Sequence, residues 1–374
     1  MSDRSILGKT GTGVHSMQAL RKLRLDVFAR DQYALTGVCL YAQMIIGMGL
    51  YLYGYVSTPG YLSVLLTLPA FAGMYFLSLY LAKRRDRGML PAAGRWAGLL
   101  LAAVSLLDAQ LALYALCAVL RDILPHVSAL GCALAVALIT ALAVGSGNGG
   151  TLARLGRFMR WGLLAALVYA AAGAVPYGNA GHLFPVLGYG FHTVGRGALW
   201  MSGCAAGCCF PLLLPQDAGV PESLENHWKA GLRTVLFSVL LGVATALFSA
   251  YLMPVYALAR PETLGFRVLL ISHINPSLLG WSLLVCGSMF LLLIALAAGA
   301  DRAAALLARA AGRDKASPLL VTVLLLLPVP AAAFGTAPVE EILLRLAPWR
   351  GAVALAALLM MLALSLIPGK GAKE

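Results

Sequence analysis

The sequence predicts an all-α integral membrane protein of ten transmembrane helices, and three observations carry the prediction. Apolar residues make up 60% of the 374-residue chain and Asp, Glu, Lys and Arg together only 11%, with a mean hydropathy of +0.84. Soluble domains run nearer ~45–50% apolar and ~25% charged, and so few charges cannot cover a water-facing surface without large apolar patches. The apolar residues also fall in blocks of about twenty, the length that lets a helix cross a ~30 Å hydrocarbon core. None of the blocks alternates with the period of two that an outer-membrane strand requires.

In chain order, residues 1–30 read as a basic N-terminal segment, and because the first span (32–55) is long enough to cross, no cleavable leader is expected. Span two (59–82) ends in Lys83-Arg84-Arg85, and span three (95–120) carries Asp108 near its middle. Span four (126–145) follows Leu124-Pro125, and span five (160–176) is the shortest. Span six (191–215) is rich in small residues, and spans seven (231–254) and eight (278–299) follow, the eighth carrying Trp281. Pro328 and Pro330 interrupt span nine (317–336), and span ten (349–367) leads to a short tail at 369–374. The membrane domain is therefore 31–368.

With the N-terminus inside, 22 of the 28 Lys and Arg residues fall on cytoplasmic loops, tails and nearby span ends. Only Arg121, Arg196, Arg260, Arg267, Arg345 and Arg350 remain outside. That asymmetry predicts cytoplasmic termini, and it reads the net charge of +13 as topology rather than as a nucleic-acid surface. Within Ser16–Arg30, Met17, Leu20, Leu23 and Val27 share one helical stripe among basic residues. A helix lying on the anionic inner leaflet fits this pattern; the plainer alternative is a basic flank that orients span one. The Gly8-Lys9-Thr10 run is no phosphate loop, because Asp3 stands where the first glycine belongs.

Polar groups at membrane depth carry the functional reading, since a central charge costs at least about 2.5–3.5 kcal/mol on insertion scales. Asp108 either binds a cation, a proton or a substrate amine, or is a hydrogen-bonded structural acid. Span one carries Gln43 followed by Ile46, Gly47 and Gly49, and span six carries Ser202, Gly203 and Gly207. Small residues there let helices pack closely. Their matching places, in the first helix of each set of five, also fit an inverted-repeat transporter with broken helices one and six around a midplane site. Unwound backbone would offer N–H groups to a carboxylate and carbonyls to an amine, which suits a zwitterion such as an amino acid. His192 and Arg196, one turn apart at the outer end of span six, fit an outer gate or rim, with snorkelling as the plainer role of Arg196. Glu340 and Glu341 read as solvated. All seven cysteines lie in predicted spans, so disulfides are not expected. Cys204, Cys208 and Cys209 lack a His or acid at ligand spacing, so neither a metal nor a cofactor is expected.

Residues 182–200, HLFPVLGYGFHTVGRGALW, lead into a span that ends FPLLLP at 210–215. With Pro185, Val186, Leu187, Gly188 and Gly190, then Gly197 and Ala198, this stretch resembles the spore germination permease family. These are the GerAB-type B subunits of germinant receptors, within the amino acid–polyamine–organocation superfamily. Gln32, the IIGMG run at 45–49, Leu124-Pro125 and Trp281 extend the resemblance over roughly 28–300. It implies a five-plus-five inverted-repeat fold, with an amino acid or similar germinant held between helices one, three, six and eight. It also implies assembly with receptor A and C subunits in the spore inner membrane. Members often carry a Gly-Glu pair in helix six, whereas Gly207 is followed here by Cys208.

The expected function is thus a germinant-receptor B subunit; the alternative is an H+- or Na+-coupled amino-acid permease in the bacterial cytoplasmic membrane. An enzyme is not expected, since the spans hold neither an HExxH run nor paired carboxylates.

Overall fold

A computed structural model describes residues 30–48, 60–86, 94–123, 126, 128–145, 149–174, 178–184, 190–213, 220–252, 278–312, 317–326, 329 and 345–366. The basic segment before Arg30, the C-terminal tail, Gly49, the Pro185–Gly188 run and the Glu340-Glu341 pair lie outside the described residues.

The described residues are helical and contain no strand. Helix α1 runs through the described residues 30–48. Then come α2 (Tyr61–Leu66), α3 (Leu68–Asp86), α4 (Gly94–Ile123), α5 (Ala129–Gly145) and α6 (Gly149–Ala174). A 3-10 turn, Ala180–Leu183, precedes α7 (Phe191–Met201), which passes directly into a 3-10 segment, Ser202–Leu213. The remaining helices are α8 (Val220–Leu252), α9 (Leu278–Ala310), α10 (Pro318–Leu326) and α11 (Trp349–Leu366).

Each predicted span holds a described helix, but α3, α4, α6, α8 and α9 run past the apolar windows. Residue 149 opens α6, eleven positions before the predicted span, because Arg154, Arg157 and Arg160 are good helix formers even though they lower hydropathy. Among the described residues, five helical stretches are long and apolar enough to cross a membrane: Tyr61–Arg84, Arg95–Cys117, Trp228–Leu252, Cys286–Ala310 and Trp349–Leu366. Large apolar side chains such as Trp96, Leu138, Val168 and Leu359 point outward. In water that surface would be an aggregation hazard, and in a bilayer it is the lipid face. The chain is an integral membrane protein.

Small residues set the packing. A Cβ on Gly299 of α9 would sit 2.9 Å from Ala109 Cβ of α4, so these two helices meet almost backbone to backbone. Helix α1 is buried along nearly its whole length. Buried hydroxyls bind the helices to one another: Ser238 donates to the Gly37 carbonyl at 2.9 Å and Tyr41 pairs with Thr245 at 2.8 Å. Because apolar side chains gain little by leaving lipid for one another, such contacts carry much of the cohesion.

Candidate functional site

The site starts from the end of α7. A 3-10 run of more than three or four residues is uncommon, yet here twelve follow Met201, with Pro211 inside them. The chain predicted to break in span six changes helix type at Ser202 and stays wound. Ser202 is half-buried, and its hydroxyl donates to the Leu199 carbonyl at 2.6 Å. Carbonyls of the tighter helix are met from outside it: Ser78 donates to the Cys208 carbonyl at 3.0 Å and Arg309 to that of Leu212.

The start of α11 rests on the point where the helix changes type. A Cβ on Gly203 would lie 2.9 Å from the carbonyl oxygens of both Ala347 and Pro348. One on Gly351 would lie 2.7 Å from the Ser202 carbonyl oxygen. Only glycine allows this approach of backbone to backbone, and the approach carries Arg350 into the interior, where it is 2% exposed.

Arg350 Nη1 reaches Asp108 Oδ1 at 2.6 Å and Gln43 Oε1 at 2.5 Å, while Nη2 lies 3.2 Å from Cys204 Sγ. Gln43 turns its amide Nε2 to the backbone carbonyl of Asp108 at 3.0 Å. The Cys204 thiol donates to the Gln43 carbonyl at 3.3 Å. One guanidinium thus ties α11 to α1, α4 and the 3-10 segment. The donor geometry is charge-assisted and short, as expected of an ion pair removed from water.

Beside this cluster lies a cavity of about 30 Å³ between α1, α4, the 3-10 segment and α9, the helices of spans one, three, six and eight. Gln43, Asp108 and Ser105 line one part of it, and Cys39, Phe210 and Arg302 another. Arg302 donates from Nη2 to Thr36 Oγ1 at 3.1 Å. Phe210 meets Tyr33 edge-on at 5.1 Å between centroids and stacks on Tyr75 at 5.8 Å, so three aromatic rings pack beside the cavity. A volume of this size holds a water or two and is too small for an amino acid.

The structure brings Gln43 and Asp108 together and sets Gly207 on the cavity wall. It places Ile46 fully in the core. Gly47 packs on span six, where a Cβ would sit 2.9 Å from Met201 Sδ. His192 and Arg196 both lie exposed on α7, with the Arg196 guanidinium 5.4 Å above the Trp200 ring. They are not drawn to the cluster. Arg350 and Arg302 are the residues that sequence reasoning missed, and charge counting had assigned Arg350 to the outer flank. Asp108 itself was the available signal, because a buried acid calls for a buried cation.

No family model matches the sequence, and no curated protein matches it. Among solved structures, the chain is similar to a manganese transporter of Eremococcus coleocola, crystallised with an aromatic bis-isothiourea substituted compound. The two are 12% identical, with 91% of this chain and 78% of that chain covered and a TM-score of 0.47.

Proposed function

We propose that this chain is a ten-span, five-plus-five transporter-fold protein that binds a small zwitterion, an amino acid or a close analogue, at the Asp108–Arg350 pair. The single observation that carries the reading is that pair: opposite charges 2.6 Å apart, buried beside a cavity enclosed by four helices. Separating them with nothing between would leave two desolvated charges, each costing several kcal/mol. A zwitterion can open the pair and still satisfy both charges, its ammonium on Asp108 and its carboxylate on the guanidinium of Arg350. An amine alone satisfies only the first, and an acid alone only the second. The site therefore selects for both charges on one small molecule, by what it penalises as much as by what it attracts.

The cavity is too small for that ligand, and opening the pair requires the start of α11, which carries Arg350, to withdraw from Gly203. Ligand then shifts an equilibrium between a latched and an opened form, to the extent that it binds the opened form more tightly. In the finer reading the chain is a germinant-receptor B subunit, and the shift is passed to A and C subunits in the spore inner membrane. The Pro185–Gly190 resemblance supports this reading. The other reading is an H+- or Na+-coupled amino-acid permease in the cytoplasmic membrane. The buried Asp108 and Arg302 on the wall of one cavity support it, since ionisable groups facing an internal cavity are what ion coupling needs. In neither reading does the chain act as an enzyme.

Uptake of labelled amino acids into proteoliposomes separates the two. The receptor predicts saturable binding to the purified chain without concentrative uptake, and the permease predicts uptake driven by an ion gradient. Absence of any saturable amino-acid binding would sink both.

A further inference from the structure

The base of α6 presents a surface that the ligand site does not use. Arg154, Arg157, Phe158 and Trp161 fall at helical spacings of three, four and seven, and all four are exposed. Phe158 is 75% exposed and Trp161 67%. The stripe straddles the predicted entry of span five, with its charges toward the Gly149 end and its rings toward the apolar end. Next to it, the Arg160 guanidinium lies 4.1 Å above the Phe237 ring of α8.

We infer that this stripe is a binding site for the headgroup of an anionic phospholipid in the leaflet at the Gly149 end of α6. Two guanidinium forks three residues apart match the oxygens of a phosphodiester, which arginine binds in bidentate fashion. Aromatic rings one turn deeper sit at the glycerol and upper acyl level, where amphipathic aromatics concentrate. Arg157 also lies 3.4 Å from Asp31 with its side chain 63% exposed, a long contact that leaves most of the fork turned outward. Phe158 and Trp161 would be unfavourable toward water and are favourable toward lipid, which selects a membrane lipid over a soluble phosphate or an acidic protein.

The site is coupled to the core. A Cβ on Gly156 would lie 2.6 Å from Leu35 Cα, so α6 touches α1 backbone to backbone. The same stretch of α1 carries Thr36, the partner of Arg302. A lipid held on α6 therefore braces the helix that bears Gln43.

The test is native mass spectrometry of the full detergent-purified chain with phosphatidylglycerol and phosphatidylcholine in competition. The wild type retains phosphatidylglycerol preferentially. Each basic residue at a membrane surface contributes about 1 kcal/mol, so Arg154→Gln/Arg157→Gln lowers that preference by roughly tenfold to thirtyfold. Arg154→Gln alone keeps the Asp31 contact and lowers it by about fivefold, which covers the case of a misfolded double variant. Phe158→Ala/Trp161→Ala weakens both lipids and leaves the preference. Equal retention of the two lipids by the wild type, or unchanged preference in the arginine variants, overturns the inference. So does displacement of the lipid by low-millimolar inorganic phosphate, which would make the patch a soluble-anion site.

Discussion

Two Arg–Asp pairs in this molecule show opposite uses of the same chemistry. Arg350 and Asp108 meet at 2.6 Å with side-chain exposures of 1% and 12%, and Arg350 donates further hydrogen bonds to Gln43 and Cys204. Arg157 and Asp31 meet at 3.4 Å with exposures of 63% and 5%, at the rim of the helix bundle. A surface pair is worth ~0–1 kcal/mol. A buried pair seldom adds net stability over apolar residues of the same size, yet losing one partner is severe. The proposed ligand binding uses this asymmetry, because the buried pair opens at low cost only where something satisfies both charges.

The largest effect is expected at Arg350. Arg350→Leu leaves Asp108 buried and uncompensated and costs about 3–5 kcal/mol, visible as a large loss of monodisperse protein after heating in detergent. Asp108→Leu/Arg350→Leu recovers most of that stability but none of the ligand binding, so the two readouts part company. Next comes the backbone contact that places Arg350. Gly203→Ala sets a Cβ against carbonyl oxygens at 2.9 Å, which cannot yield as a flexible side chain would, and costs about 1–3 kcal/mol. Gly203→Leu abolishes ligand response in protein that still inserts, and unchanged ligand dependence would remove the helix-type change from the mechanism. Gln43→Leu removes the acceptor at 2.5 Å and the donor at 3.0 Å, with a loss of about 1.5–3 kcal/mol expected for a bond to a charged group. At the surface pair, Arg157→Gln changes thermal stability by no more than about 1 kcal/mol.

The helices were legible in the sequence, because an apolar block long enough to span a bilayer is costly to place anywhere else. Their ends were not, since hydropathy falls wherever arginine enters while the helix continues, as in α4 and α6. Gln43 and Asp108 stood out because polar groups in apolar runs need a reason, and the structure places them in one cluster. Arg350 escaped because a cation at the edge of an apolar window looks like a flank. Its burial depends on Gly351 and Gly203, 148 residues apart in the chain, and no local pattern reports a contact between such distant glycines. The glycines of span six suggested unwinding, whereas the helix tightens there and its carbonyls are met by Ser78 and Arg309.

In the proposed mechanism one ligand carrying both charges opens the Asp108–Arg350 pair. Its most direct test is equilibrium binding of an amino-acid panel to the purified chain in nanodiscs, beside the matching methyl esters and decarboxylated amines. Saturable binding of a zwitterion is expected, with at least about tenfold weaker binding of the singly charged analogues and loss of that discrimination in Asp108→Asn/Arg350→Gln. Analogues that bind as tightly as the zwitterion, or a neutralised double variant that binds as the wild type does, would contradict it.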